Sequence, residues 1–374
     1  MTNTEHNLTS VMGDLNNDQE HNMLSASRKR VVLGEITNFS NTVSAQSQTS
    51  DVNNTHSPKR PLKKKHRKDI PSQLTSRNRN NRLKKENDQD IGESSSASQK
   101  CGYSSSIYEH LRSLEIEDKR RPFHNYMEKI QTDISVKMRE VLVDWLVEVA
   151  EEYRLVSDTL YLAVAYVDRF LSYRVLTRNK LQLLGVCCML IASKYEEISP
   201  PHVEDFCYVT DNTYTKEEVV DMEEEVLKYL NFEVSTPTTK SFLRVLMRTT
   251  QQNCKKPDLR FEFLCCYLAE LSLLDYSCLR YLPSLIAASA IFLSRFTIQP
   301  EIHPWQNLAL QCVSGYKPTD LKECVLVIHD LHLNRREKPL PAVREKYMQH
   351  KFKCVAMLSS PAEVPAHYFE AIEE

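Results

Sequence analysis

The sequence predicts an all-α protein, and three observations lead there. Glycine is scarce, with six in 374 residues against a usual share of roughly 7%. Sheet-rich folds need turn glycines that this chain lacks. Gly13, Gly34, Gly92, Gly102, Gly185 and Gly315 form neither a G-x-G-x-x-G nor a G-K-[ST] loop, which excludes nucleotide-binding motifs of those kinds. From about Tyr103 onward, apolar residues recur at helical rather than strand spacing. Finally, two stretches, Leu181–Tyr195 and Arg280–Phe296, are apolar all round and rich in small residues, as helices surrounded by other helices are.

Taken in order, the first hundred residues carry no such pattern. They hold 16 Lys/Arg against 11 Asp/Glu, and only Phe39 of the chain's 31 aromatic residues. A segment rich in Asn, Ser, Thr and Gln with one aromatic cannot bury enough apolar surface to offset the entropy of ordering. Residues 1–102 are therefore expected to be a disordered tail carrying short motifs. Met138–Tyr153 (MREVLVDWLVEVAEEY) has two apolar stripes on one helix. Leu142, Leu146, Val149 and Tyr153 make the first, and Met138, Val141 and Trp145 the second, so the helix is either broadly buried or presents one stripe to a partner. Asp158–Ser172 is a further amphipathic helix, with Ser157 or Asp158 expected as its cap. Leu181–Tyr195 is the central helix. Thr215 and Glu218 form a capping box opening EEVVDMEEEVLKYL. After Pro237 the helical pattern resumes. Arg280–Phe296 lines up with the earlier central helix at an offset of 101 residues, Ser193-Lys194-Tyr195 against Ser294-Arg295-Phe296. This suggests a duplicated helical domain, with one copy over 103–235 and the other over 236–355, each of about five helices. Residues 356–374 read as a mobile or loosely docked tail.

Several classes are excluded. No apolar run is long enough to span a membrane, and the first residues lack a signal peptide's charged start and apolar stretch. Eleven cysteines, with no C-x-x-C pair, fit a reducing compartment rather than a disulfide framework. There is no H-E-x-x-H and no G-x-S-x-G, and the twelve His residues show no ligand spacing on one helix, so neither catalysis, a metal nor a cofactor is expected.

At MREVLVDWLVEV, LYLAVAYVDRFLS, LQLLGVCCMLIASKYEEISPP and YVTDNTYTKEEVVDMEEEVLKYLNF the chain resembles mitotic cyclins, over about residues 103–355. The wording resembles the A-type, and RVVLGEITN and FHNYMEKIQTDI resemble its plant branch. The resemblance implies two tandem five-helix cyclin-box domains that bind and activate a cyclin-dependent kinase. It carries the kinase-facing role onto Lys194, Tyr195, Glu196, Glu197, Ile198 and Glu223, and onto Tyr103 and Ile107 of a short preceding helix. Activation of this kind moves the kinase's αC helix so that its Glu pairs with the ATP-binding Lys. The resemblance also gives the second stripe a use. Met138, Val141 and Trp145, with Glu148, Leu181 and Gln182, match the family's docking patch for R-x-L-containing substrates and inhibitors. An apolar anchor beside an acidic residue suits a cationic peptide with a leucine.

In the tail, Arg30, Leu33 and Asn38 fit R-x-x-L-x-x-x-x-N, and Lys85-Glu86-Asn87 is a KEN sequence. Both resemble degrons read by the anaphase-promoting ubiquitin ligase. Lys59, Arg60, Lys63, Lys64, Lys65, Arg67 and Lys68 place seven cations in ten residues. Such a run is an import signal, a nucleic-acid patch or a solvated charge run. Without aromatic platforms nucleic-acid recognition is disfavoured. The expectation is a nuclear location, with or without shuttling to the cytoplasm, through the import machinery, and no nucleic-acid or membrane partner. Ser57-Pro-Lys-Arg fits the S-P-x-[KR] pattern of cyclin-dependent kinase substrates, where phosphate would offset the adjacent positive charge. The alternatives are a B-type mitotic cyclin, which Lys194-Tyr195-Glu196-Glu197 also suits, and a transcriptional cyclin or cyclin-like transcription factor. The net acidity of residues 101–374, with 32 Lys/Arg against 39 Asp/Glu, argues against DNA binding.

Overall fold

The computed structural model describes residues 105–251, 258–335 and 340–370. Tyr103, Ser57, both degrons and the basic run lie outside the described residues. Within them, all regular structure is helical. A helix over 105–115 (α1) and a single turn, Tyr126–Lys129 (α2), precede five helices: Val136–Glu152 (α3), Ser157–Leu171 (α4), Leu181–Glu196 (α5), Val203–Val209 (α6) and Lys216–Tyr229 (α7). A second set of five follows: Thr239–Gln251 (α8), Leu259–Leu274 (α9), Pro283–Ile298 (α10), Leu308–Ser314 (α11) and Pro318–His332 (α12), and then Ala342–Tyr347 (α13).

Local chemistry sets the helix ends. The Ser135 side chain accepts from the Met138 N–H at the start of α3, satisfying one of the orphan donors there. Thr215 and Glu218 close the expected capping box on α7. Pro283 opens α10, where its missing N–H costs nothing, and Gly315 ends α11 at φ +71°, a conformation glycine adopts without strain. The expected cap on α4 is corrected: Val156 occupies that position and contributes no side-chain bond. The work is done from outside the helix by Glu197. Its carboxylate accepts from the Val156 N–H at 2.8 Å and the Thr159 hydroxyl at 2.7 Å.

The core sits around α5 in the first domain and α10 in the second. Every residue of α5 from Leu181 to Ser193 is buried, consistent with its apolar circumference. At Gly185 a Cβ would lie 2.7 Å from Leu142 Cδ1, so glycine lets α3 and α5 approach closely. In α10, Ile286 to Ser294 are buried without interruption.

Several contacts tie the two domains. Arg139 on α3 makes a two-pronged pair with Asp168 on α4, Nε to Oδ1 2.8 Å and Nη2 to Oδ2 2.7 Å. Its Nη1 also donates to the Leu273 carbonyl of α9 at 2.8 Å. Tyr126 adds a hydroxyl donor to Asp168. Both charged side chains are at most 2% exposed, so loss of either would leave a buried charge, at a cost of about 3–5 kcal/mol. The inter-domain linker is held by Arg169 and Tyr166, which donate to the Glu233 and Val234 carbonyls. Finally α13 reaches back. The Ala342 N–H donates to Asp144 Oδ1 at 3.0 Å, and Lys346 bridges Glu270 of α9 and Glu151 of α3 at 2.6 and 3.5 Å.

Helix α1, within the expected first copy over 103–235, sends hydrogen bonds to the second domain. Glu115 accepts from the Ser284 N–H and hydroxyl, Arg112 donates to Ser284 Oγ and Tyr316 Oη, and Tyr108 stacks edge-on against Phe242. The reading of the C-terminal residues as mobile or loosely docked is corrected up to Glu370. Phe369 stacks on Phe292 with centroids 5.2 Å apart, the Tyr368 hydroxyl donates to the Pro300 carbonyl, and both side chains are buried. Aromatic burial of this size outweighs the polar composition around it.

Candidate functional site

The C-terminal end of α5 is where the central helix surfaces. Burial stops abruptly after Ser193, and Lys194, Tyr195 and Glu196 are exposed. Lys194 is not unpaired. Its Nζ lies 2.6 and 2.8 Å from the two carboxylate oxygens of Glu223 on α7. The lysine is 47% exposed, so the pair contributes at most about 1 kcal/mol and either partner can exchange it for another. Tyr195 is 49% exposed and Ile198, in the following loop, is fully exposed. Among the described residues this isoleucine is covered by nothing. Burial, together with Asp158, raises the Glu196 carboxyl above its usual range.

Lys194, Tyr195, Glu196, Ile198 and Glu223 thus lie together at this helix end, and Glu197 between them has a role within the fold as well. Glu197 caps α4 and thereby fixes the loop that presents Ile198. Ile107 on α1 is half exposed. Beside Tyr195 and Glu196 a groove of about 180 Å³ opens, lined also by Leu111 and Leu114 of α1, Asp158 and Leu162 of α4, and Arg244 of α8. Asp158 and Arg244 form an ion pair across the domain boundary at 2.5 Å. No local pattern points to this pair, because its members are 86 residues apart. Phe232 was also missed. It follows the Glu223 helix, is 67% exposed and sits at φ +58°, a backbone region uncommon for a bulky residue and one that marks strain or function.

The residues of the expected docking patch lie on α3 and the start of α5, which pack together. Met138 and Val141 are half-buried and Glu148 is exposed. Trp145 is only 8% exposed, and Leu181 and Gln182 are buried. Met138, Val141 and Glu148 therefore form the accessible part. Next to Trp145, the buried Asp144 carboxyl is pushed up to about 7, chiefly by desolvation and then by Glu148 and Glu345, against the opposing Ala342 N–H bond. Among the described residues no group of three His, Cys, Asp or Glu could hold a metal, and no helix is long and apolar enough to cross a membrane.

Two family models match the chain in tandem, the cyclin N-terminal domain over residues 106–235 and the cyclin C-terminal domain over residues 237–361. The chain belongs to the cyclin family. Cyclin-A3-1 of Oryza sativa subsp. japonica is 58% identical over 272 residues, 73% of each chain. The G2/mitotic-specific cyclin C13-1 of Daucus carota is 51% identical over 348 residues, 93% of this chain and 97% of that protein. The cyclin is thus similar to plant A-type cyclins, as the sequence motifs indicated. The X-ray structure of a viral cyclin from herpesvirus saimiri shares the fold at 22% identity, with a TM-score of 0.53, covering 60% of this chain and 96% of that one. A cyclin is a regulatory subunit and not an enzyme, and this one has the role of a regulatory cyclin of a cyclin-dependent kinase.

Proposed function

We propose that this cyclin binds and activates its kinase through the surface built from Lys194, Tyr195, Glu196, Ile198 and Glu223, with Ile107 and the neighbouring groove extending it. The observation that supports this most is the abrupt end of burial on α5, where an exposed Tyr and a fully exposed Ile follow an otherwise enclosed helix. Lys194 and Glu223, paired with each other in the free chain, exchange partners for backbone groups of the kinase. The chain contributes binding energy that selects the active kinase conformation. Met138, Val141 and Glu148, over a floor of Trp145, Leu181 and Gln182, take R-x-L segments of substrates and inhibitors. The tail supplies nuclear import through Lys59–Lys68 and turnover by the anaphase-promoting ligase through Arg30, Leu33 and Asn38 and through Lys85-Glu86-Asn87, with Ser57 phosphorylation tuning import.

The test is histone-peptide phosphorylation by a purified cell-cycle kinase titrated with this cyclin, wild type beside Lys194→Ala/Glu223→Ala. Strong activation by the wild type and little by the double variant supports the reading. Equal activation by both removes the interface assignment while leaving the activator role.

A further inference from the structure

Three Ser/Thr-Pro pairs fall among the described residues, and they differ sharply. Thr236 is 8% exposed and donates to the Arg120 carbonyl. Ser360 is 8% exposed and bonds to Thr297 and His329. Ser199 alone of the three is exposed, and among the described residues its hydroxyl has no partner. It lies in a loop bounded by extended residues, Glu197 at ψ 142° and His202 at ψ 162°. Ile198 and Ser199 form a bend in it, and the following Pro200 biases Ser199 away from the helical region. Glu197 anchors one end of this loop on α4, and the His202 N–H donates to Asp205 at the other.

We infer that Ser199 is a phosphorylation site for a proline-directed serine/threonine kinase, accessible in the free cyclin, whose modification blocks docking of the cyclin-dependent kinase. The inference rests on the docking surface proposed above. The Ser199 hydroxyl oxygen attacks the γ-phosphorus of ATP and the bond to the β-phosphate oxygen breaks. ADP leaves with the electron pair, and the hydroxyl proton passes to the modifying kinase's catalytic carboxylate. The residue three positions on is His202 rather than Lys or Arg, so the site suits proline-directed kinases that require no cation there. The product carries about −1.5 to −2 charge on the residue adjoining Ile198, about 3.8 Å along the backbone. Glu196 and Glu197 precede it, and Glu204 and Asp205 open the next helix. A dianion at the edge of an apolar contact and among carboxylates opposes burial through both desolvation and repulsion. Kinase docking covers the same loop, so binding and modification exclude one another.

The full-length cyclin, free or saturated with a catalytically inactive cyclin-dependent kinase, is incubated with ATP and a purified mitogen-activated protein kinase. Phosphate on the Ser199 peptide is read by mass spectrometry, and the Kd of the treated cyclin for the same inactive kinase is then measured. Ser199→Ala, treated identically, controls for phosphate at Ser57 and elsewhere. The expected result is near-complete Ser199 phosphorylation of free cyclin, at least tenfold less in the complex, and a Kd raised about tenfold or more for wild type but not for Ser199→Ala. No phosphate at Ser199, or an unchanged Kd with Ser199 fully modified, overturns the inference. Untreated cyclin that fails to bind the kinase overturns the docking surface and this inference with it, which separates the two failures.

Discussion

Asp144 and His332 are single side chains whose ionisation opposes the fold. The folded Asp144 carboxyl titrates near 7 instead of near 3.8, so its neutral form is favoured by folding. Its stabilising contribution is full below about pH 4 and is lost as pH rises through 7. Asp144→Asn keeps an oxygen acceptor for the Ala342 N–H and removes the buried charge. Its melting temperature should exceed the wild type's at pH 8, and the gap should close towards pH 4. His332 is the opposite case. Burial, with Arg344 nearby, lowers it to about 4 against an opposing contact with the Leu358 backbone, and among the described residues neither ring nitrogen makes a full hydrogen bond. Its neutral form is favoured by folding, so the contribution is present above about pH 6.5 and is lost as pH falls towards 4. Urea midpoints of His332→Phe should fall less steeply than those of wild type between pH 6.5 and 4, and parallel curves would contradict this. Neither shift was legible in the sequence. Each depends on an environment assembled from distant segments.

At the scale of the element, α3 serves core and domain junction at once, and the proposed docking patch would use a further face of it. Trp145 illustrates the tension. At 8% exposure its truncation removes core packing and should cost about 3–5 kcal/mol, so it is a poor probe of docking. Met138→Ser/Val141→Ser changes half-buried positions instead. It should lower phosphorylation of R-x-L substrates several-fold while leaving a short motif-free peptide unaffected, and equal loss on both would show a structural effect. The helices themselves were largely readable, because apolar spacing, the Thr215–Glu218 box and the all-apolar runs are local signals. The end of α5 was readable for the same reason. What Glu197 does was not, since the helix it caps lies 38 residues earlier in the chain.

For the whole molecule, the ties between domains have a thermodynamic consequence. Arg139, Lys346 and α1 each join the two halves through buried or half-buried polar contacts, so the halves should unfold in one calorimetric transition. Lys346→Met leaves Glu270 without its cation and should destabilise by about 3–5 kcal/mol, or separate the transition into two. Two resolved transitions in the wild type would refute the coupling. The duplicated domain plan was visible in the sequence from one aligned pair of central helices. The way the halves meet was not, because it is written in contacts between distant segments, such as Arg139 with Leu273, 134 residues apart.

The docked C-terminal residues bear on how this cyclin is handled in cells and in the laboratory. Cutting the chain at 355, where the repeat pattern fades, would strip Phe369 from Phe292 and Pro361 from His329. The shortened protein would present an apolar surface that chaperones and quality-control proteases recognise as damage. Its disappearance from cells would then mimic regulated turnover, so a degron experiment on such a fragment would measure misfolding instead.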